Sequence, residues 1–243
     1  IQHLDPTQKG MLPELLQRIT KMKVLQAKDR IAVKPNFVYV IPPNKTMSIL
    51  KGALHLFEPI EARGLRLPID HFLQTLADDQ HENAIAVILS GMGSDGSIGV
   101  RAIKEQNGIV MAQEPSAAKF DSMPRNAIES VLVDIIAPAD ELPLKLNDFF
   151  KHKPVLKPDH EIDVKDKSSL EKIIILLRTH TGNDFSLYKK NTVYRRIERR
   201  MGVHKIERII SYVHFLQENP KELDILFKEL LIGVTNFFRD PNV

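Results

Sequence analysis

The sequence has 243 residues, of which 43% are hydrophobic and 27% charged, and it contains no cysteine. This composition is typical of a globular protein and excludes a disulfide scaffold, a cysteine-ligated metal and a cysteine nucleophile. Because no run of about 18 apolar residues occurs, we expect no membrane insertion. The net charge of +3 is too small to indicate a nucleic-acid partner.

The first part of the chain alternates β-branched runs with helical stretches. The predicted strands are 31–33, 37–41, 84–89, 109–113 and 131–136, with predicted helices at 97–106 and 124–130. Residues 84–89 are apolar throughout, which is typical of a central parallel strand covered on both faces. The order predicts an α/β doubly wound, mostly parallel sheet in a domain that spans 1–146.

The composition changes after residue 146. Residues 147–167 combine two prolines with many charges, which predicts a linker, and only helical patterns follow. Ser168 and Glu171 form a capping-box pattern that would open the first helix, and Gly202 is the expected end of the second. The further predicted helices are 186–201, 207–218 and 220–231. We therefore expect a small all-α helical domain over 168–231.

A glycine-rich loop follows the most apolar strand and precedes a predicted helix. In the simplest interpretation, Asp95 caps that helix and the glycines allow a tight turn. In a second, Gly91, Gly93 and Gly96 form a dinucleotide-binding fingerprint and Glu114 holds the ribose, although the Asp95 carboxylate would repel a pyrophosphate. In a third, Asp95 orients a catalytic histidine and a loop N–H stabilises an oxyanion.

Residues 85–99, together with 1–4, 38–44, 112–116 and 122–127, resemble the chemotaxis protein-glutamate methylesterase family (CheB-type). The resemblance implies that His3 is the general base and acid, that Asp95 orients His3, and that Met92 supplies a backbone N–H to the oxyanion. Ser90 and Ser94 match no nucleophile position.

The family's nucleophilic serine precedes its histidine, so we expect that serine upstream of Ile1. The 243 residues would then be part of a longer chain. They are expected to have negligible esterase activity alone.

Four arginines in the second half recur at helical spacing. At about 100° per residue they cover one face of a helix, so we expect them to point outward, either as a solvated face or toward an acidic protein partner. These residues are Arg195, Arg196, Arg199 and Arg200.

Residues 181–201 and 231–241 resemble the helical N-terminal domain of chemotaxis protein-glutamate methyltransferases (CheR-type) and the start of their cofactor domain. The resemblance implies that the arginine helix contacts the methylation region of chemotaxis receptors. It also implies that Thr235 and Arg239, within a truncated domain at 232–243, begin an S-adenosylmethionine site. Gly233 stands where the family usually has asparagine.

These resemblances predict a cytoplasmic protein that joins a receptor methylesterase to a receptor methyltransferase. Its partners would be methyl-accepting chemotaxis receptors, its cofactor S-adenosylmethionine, and it would hold no metal. Two alternatives stay open: a non-catalytic module that docks on receptors through the arginine helix, and a dinucleotide-binding oxidoreductase.

Overall fold

The computed structural model describes residues 1, 11–60, 66–131, 133–152 and 164–231. The chain divides into two compact units, Ile1–Ile136 and Ala137–Val243. Among the helices of the described residues, none is long and apolar enough to cross a membrane.

The first unit contains both strands and helices. Its helices are α1 (Leu12–Ile19), α2 (Pro68–Gln80), α3 (Ser97–Glu105) and α4 (Ser122–Ser130). Its strands are β1 (Lys23–Gln26), β2 (Ile31–Ala32), β3 (Phe37–Val40), β4 (Thr46–Leu50), β5 (Ala53–Phe57), β6 (Ile85–Ile88) and β7 (Ile109–Gln113), and β8 (Ile135–Ala137) extends to the next unit's first residue.

The described strands form both parallel and antiparallel ladders. Strand β1 pairs in parallel with β3, and β6 pairs in parallel with β7, whose other neighbour is β8. Strands β2, β5 and β4 form an antiparallel sheet in that spatial order. Lys51 and Gly52 connect β4 to β5 with φ values of 52° and 71°, the left-handed backbone that a tight hairpin requires. This hairpin was not predicted.

The core of the first unit places β6 and β7 among three helices. All five residues of β7 are buried, and apolar side chains from α2, α3 and α4 cover the β6–β7 ladder. The predicted α/β fold class is confirmed. The predicted strand at 131–136 begins too early, because Val131 still donates its N–H to Ala127 at the end of α4.

A buried ion pair joins α3 to the segment before β8. Lys104 Nζ lies 2.9 Å from Asp134 Oδ1, and both side chains are 0% exposed. The other Asp134 oxygen accepts the Val110 N–H of β7 at 2.8 Å. Asp134 therefore fixes a helix and a strand at once.

After Ala137, the last residue of β8, the described part of the second unit contains only helices, as predicted. They are α5 (Leu142–His152), α6 (Val164–Thr181), α7 (Lys190–Val203), α8 (Ile209–Glu218) and α9 (Pro220–Leu231). Leu177, Ile197, Tyr212, Leu216 and Leu226 are fully buried at its centre.

Two predicted helix ends are wrong. Helix α6 begins at Val164, so Ser168 lies inside it rather than capping it. Gly202 lies inside α7 and does not end it. A Cβ at Gly202 would approach the Phe149 ring of α5 to 3.3 Å, so the glycine allows these helices to pack closely. The predicted linker is helical at both ends, up to His152 and from Val164, while 153–163 lie outside the described residues.

Replacement of Lys104 by methionine would leave the Asp134 carboxylate buried without its cation. We expect Lys104→Met to lower the free energy of unfolding of the first unit by about 3–5 kcal/mol. Urea denaturation followed by circular dichroism measures this change. Lys119→Met, at an exposed position, is the matched control, and equal losses in the two variants would contradict the role assigned to the pair.

Candidate active site

Asp95 lies in the glycine-rich loop between β6 and α3, and its side chain is buried. Its two carboxylate oxygens accept the backbone N–H groups of Ile69 at 3.1 Å and Asp70 at 2.9 Å. These N–H groups belong to the first turn of α2, where helices leave backbone donors without partners. The Leu67 side chain at the N-cap position gives no hydrogen bond. Asp95 therefore caps α2 from a distant part of the chain.

Asp70 repeats this arrangement in the opposite direction. Its Oδ1 accepts the Gly99 N–H of α3 at 2.7 Å, while the α3 N-cap is Gly96, which has no side chain to offer. Burial raises the pKa of Asp70, the Gly99 N–H opposes this effect, and the neighbouring Asp95 carboxylate adds to it. Sequence reasoning missed Asp70, since its contact joins residues 29 positions apart.

Hydrogen bonds connect the loop before Asp95 to Phe120 and to helix α4. Gly91 donates its N–H to the Phe120 carbonyl at 3.0 Å, and its own carbonyl accepts the Met123 N–H at 3.0 Å. The Ser122 hydroxyl oxygen accepts the Gly93 N–H at 3.1 Å, and Asn126 donates to the Gly93 carbonyl at 2.8 Å. A Cβ at Gly91 would lie 2.3 Å from Met123 Sδ, so a larger residue at this position would displace the Met123 side chain.

Met92 lies at the exposed tip of this loop with 73% of its surface accessible. It lines a cavity of about 670 Å³ together with Gly91, Phe120 and Met123. No acceptor for the Met92 N–H occurs among the residues that the structure describes. Within the described part of the chain this backbone donor is therefore unused, while Gly91 and Gly93 on either side of it are held in place.

Ile1 lines the same cavity and lies beside Asp95. Burial lowers the pKa of the Ile1 α-amino group, and the Asp95 carboxylate acts in the opposite direction. His3, the predicted base, lies outside the described residues, as do Thr235 and Arg239. In the part of the chain that the structure describes, no cluster of three or more His, Cys, Asp or Glu side chains could hold a metal ion.

The dinucleotide interpretation does not fit this geometry. It requires the N-terminus of α3 to receive a pyrophosphate. The Asp70 carboxylate already occupies that N-terminus through Gly99, and Asp95 lies next to it. Two carboxylates at this position would repel a phosphate.

The arginine helix, α7, is oriented differently from the prediction. Arg195 is exposed, but Arg196, Arg199 and Arg200 are buried. The prediction that the arginine face points outward is therefore wrong for three of the four residues. Two buried acidic residues of α9 accompany them: Glu222 bonds to Arg200, and the charge of Glu229 acts on Arg196.

Arg200 forms the best-defined of these contacts. Its Nε and one terminal nitrogen donate to the two oxygens of Glu222 at 2.7 and 2.8 Å. Tyr212 donates its hydroxyl to Glu222 at 2.8 Å, and His204 Nε2 lies 2.9 Å from the same carboxylate. Burial alone would raise the pKa of Glu222, but hydrogen bonds from His204 and Arg200 lower it to about 2.

Fold and site together place the first unit among doubly wound α/β domains that carry a loop site at the carboxyl end of a parallel strand. The chain belongs to the CheB methylesterase family, whose family model matches residues 1–146. Residues 168–231 match the all-alpha domain of the CheR methyltransferases. The predicted family resemblances are confirmed.

Three similar proteins show how far this likeness extends. A 104.1 kDa uncharacterized protein of Rhodobacter capsulatus is 35% identical over 95% of this chain, which spans only 26% of that protein. A putative protein-glutamate methylesterase/protein-glutamine glutaminase of Leptospira interrogans is 32% identical over 58% of this chain and 74% of its own. The crystal structure of the Thermotoga maritima CheB methylesterase catalytic domain matches with a TM-score of 0.52 at 30% identity, over 59% of this chain and 78% of that one.

The lowered pKa of Glu222 makes the second unit sensitive to acid. A carboxylate whose pKa is lowered on folding stabilises the folded state above its unfolded pKa of 4.5, and this contribution is lost as the pH falls toward about 2. We expect the loss to reach about 3 kcal/mol. Hydrogen exchange of the α7 and α9 amides between pH 4.5 and about 2 measures this loss of stability.

Glu222→Gln should remove most of this pH dependence and should lower stability at neutral pH, because Arg200 loses a buried partner. Asp224→Asn, at an exposed position on the same helix, is the matched control. The assignment is wrong if both variants keep the pH dependence of the unchanged protein.

Proposed function

We propose that the first domain is a protein-glutamate methylesterase that hydrolyses γ-methyl esters of glutamates in chemotaxis receptors. The observation that carries this proposal is the fixed, buried Asp95 carboxylate in the same loop as Met92, which lines a cavity. Membership of the CheB methylesterase family supports the same class of chemistry. The two findings are independent, because one is geometric and the other rests on sequence similarity.

In this proposal Asp95 accepts a hydrogen bond from the imidazole of His3. The Asp95 oxygens accept the Ile69 and Asp70 N–H groups, and a carboxylate oxygen can accept more than one hydrogen bond. Two peptide units separate His3 from Ile1, a span of at most about 7 Å, so Ile1 beside Asp95 supports this assignment. The carboxylate would fix the imidazole tautomer and stabilise the imidazolium ion.

The ester carbonyl would enter the cavity with its oxygen toward the Met92 N–H. A serine hydroxyl gives its proton to His3 and attacks the carbonyl carbon, His3 returns the proton to the leaving methanol, and water releases the acid in a second cycle. The same acyl transfer would deamidate glutamine, an activity that the name of the Leptospira relative includes.

We do not assign the nucleophile to a loop serine, because neither Ser90 nor Ser94 matches a nucleophile position of the family. Ser90 accepts the Phe120 N–H at 3.0 Å, and Ser122 bridges the Gly91 carbonyl and the Gly93 N–H. The family resemblance instead assigns the nucleophile to a serine before His3, where this sequence has only Ile1 and Gln2.

We further propose that residues 168–231 serve an S-adenosylmethionine-dependent methyltransferase that modifies the same receptor glutamates. The match to the CheR all-alpha domain supports this role. In this proposal the esterase domain spans 1–146, the linker 147–167 and the start of the cofactor domain 232–243. Thr235 and Arg239 would contact the cofactor. The Rhodobacter relative aligns with 95% of the chain, so both matched segments occur together in another protein.

Asp95→Asn tests the esterase proposal in the complete polypeptide. We expect kcat for methanol release from methylated receptor to fall by roughly 10³–10⁴, since an uncharged partner leaves the imidazole in the wrong tautomer. Ser94→Ala, at an exposed position in the same loop, should keep the unchanged rate. An active Asp95→Asn protein would refute the role of Asp95.

Arg195→Glu tests receptor recognition by α7. Since Arg195 alone of the four arginines is exposed, its reversal should weaken binding to receptor fragments without changing thermal stability. Arg200→Glu should instead unfold the second unit, because it places a second carboxylate against buried Glu222. Surface plasmon resonance and thermal melting measure the two effects. Unchanged binding by Arg195→Glu would exclude this residue from recognition.

A further inference from the structure

A second pocket lies in the first unit between the β4–β5 hairpin and the N-terminal half of α2. Its volume is about 610 Å³. It shares no lining residue with the cavity that Met92 lines, so the two are distinct. The lining residues used below are Ser48, Phe57, Ile60, Leu67, His71 and Gln74.

Ser48 and His71 meet inside this pocket. The Ser48 hydroxyl oxygen lies 2.7 Å from His71 Nε2, a distance within the range of a serine and its general base. Side chains alternate along a strand, so Ser48 lies on the face opposite to buried Met47 and Ile49. When the imidazole carries its hydrogen on Nδ1, Nε2 accepts the Ser48 hydrogen.

Exposed apolar side chains line part of the pocket, beside the charged Glu58, Arg66 and Asp70. Ile60 is 97% exposed, and Phe57, Leu67 and Ile98 also expose about half of their surface. Apolar side chains that surround polar groups in a concave site are typical of a ligand site, and here they offer contacts to the apolar part of a ligand. Gln74, one helical turn after His71, offers amide donors to a carbonyl oxygen.

We propose that Ser48 is a nucleophile that His71 activates, and that this pocket accepts small apolar esters. Ser48 Oγ forms a bond to the ester carbonyl carbon as its proton moves to His71 Nε2. The bond from that carbon to the alcohol oxygen breaks, and His71 gives the proton to the departing alcohol. Water then attacks the acyl group by the same route, which yields the carboxylic acid and restores Ser48.

No carboxylate bonds to His71 among the described residues, so the expected turnover is slow compared with that of a full triad. A covalent probe is therefore a better test than turnover. An alkyl fluorophosphonate forms a phosphorus–oxygen bond to an activated serine and loses fluoride, which departs with the proton from the base. Peptide mass spectrometry of labelled residues 1–243 locates the adduct.

We expect one adduct on Ser48, absent in Ser48→Ala. His71→Gln should slow the labelling roughly a hundredfold, the size of a general-base contribution. His55→Gln is the matched control, because His55 lies directly opposite Ser48 on β5 and should leave the rate unchanged. Absence of an adduct on Ser48, or equal rates in the two histidine variants, would overturn the proposal. Thermal melting of each variant checks that it is folded.

The lack of cysteine in this sequence provides a second measurement. In Ser48→Cys the only thiol lies beside His71, which should favour its thiolate. Its alkylation by iodoacetamide should exceed that of Thr46→Cys, two residues earlier on the same face of β4, by about tenfold, the effect expected of a neighbouring base. The excess should disappear when His71→Gln is added. Equal alkylation of the two thiols would contradict activation by His71.

Discussion

The exchange of carboxylates between α2 and the loop before α3 determines the geometry of the proposed esterase site. Asp95 satisfies the first-turn donors of α2, and Asp70 on α2 satisfies a first-turn donor of α3. Neither helix has a side-chain cap of its own, so each depends on the other. The close crossing requires Gly99, where a Cβ would lie 2.5 Å from that of Leu73.

This exchange means that the proposed catalytic aspartate is also a structural residue. A helix cap contributes about 1 kcal/mol to stability, so the fold itself holds Asp95 in one position. The neighbouring loop is fixed by a separate set of bonds to α4 through Gly91 and Gly93. Between these two attachments the Met92 N–H has no acceptor among the described residues, and a preorganised donor of this kind would stabilise developing charge without rearrangement.

The sequence predicted the parts of the fold that depend on neighbouring residues. The apolar strand at 84–89, the helix after it and the α9 boundaries at Pro220 and Leu231 were recognisable from local patterns. The β4–β5 hairpin also carried a local signal, in the alternation of buried Met47 and Ile49 and the glycine after Lys51. The exchange of carboxylates left no such signal, because its partners are 25 to 29 residues apart.

The orientation of α7 could not be predicted from the sequence of that helix alone. Arginines at helical spacing are usually solvated, and the pattern of α7 alone favours that interpretation. Helix α9 changes this interpretation, because its buried Glu222 and Glu229 are seven residues apart and therefore share a face. Glu222 pairs with Arg200 in the core, where breaking such a pair costs far more than on the surface. Charge pairing in the second unit thus performs the ordering that backbone capping performs in the first, and in each unit one residue that the sequence assigned to function, Asp95 or Arg200, also holds helices in place.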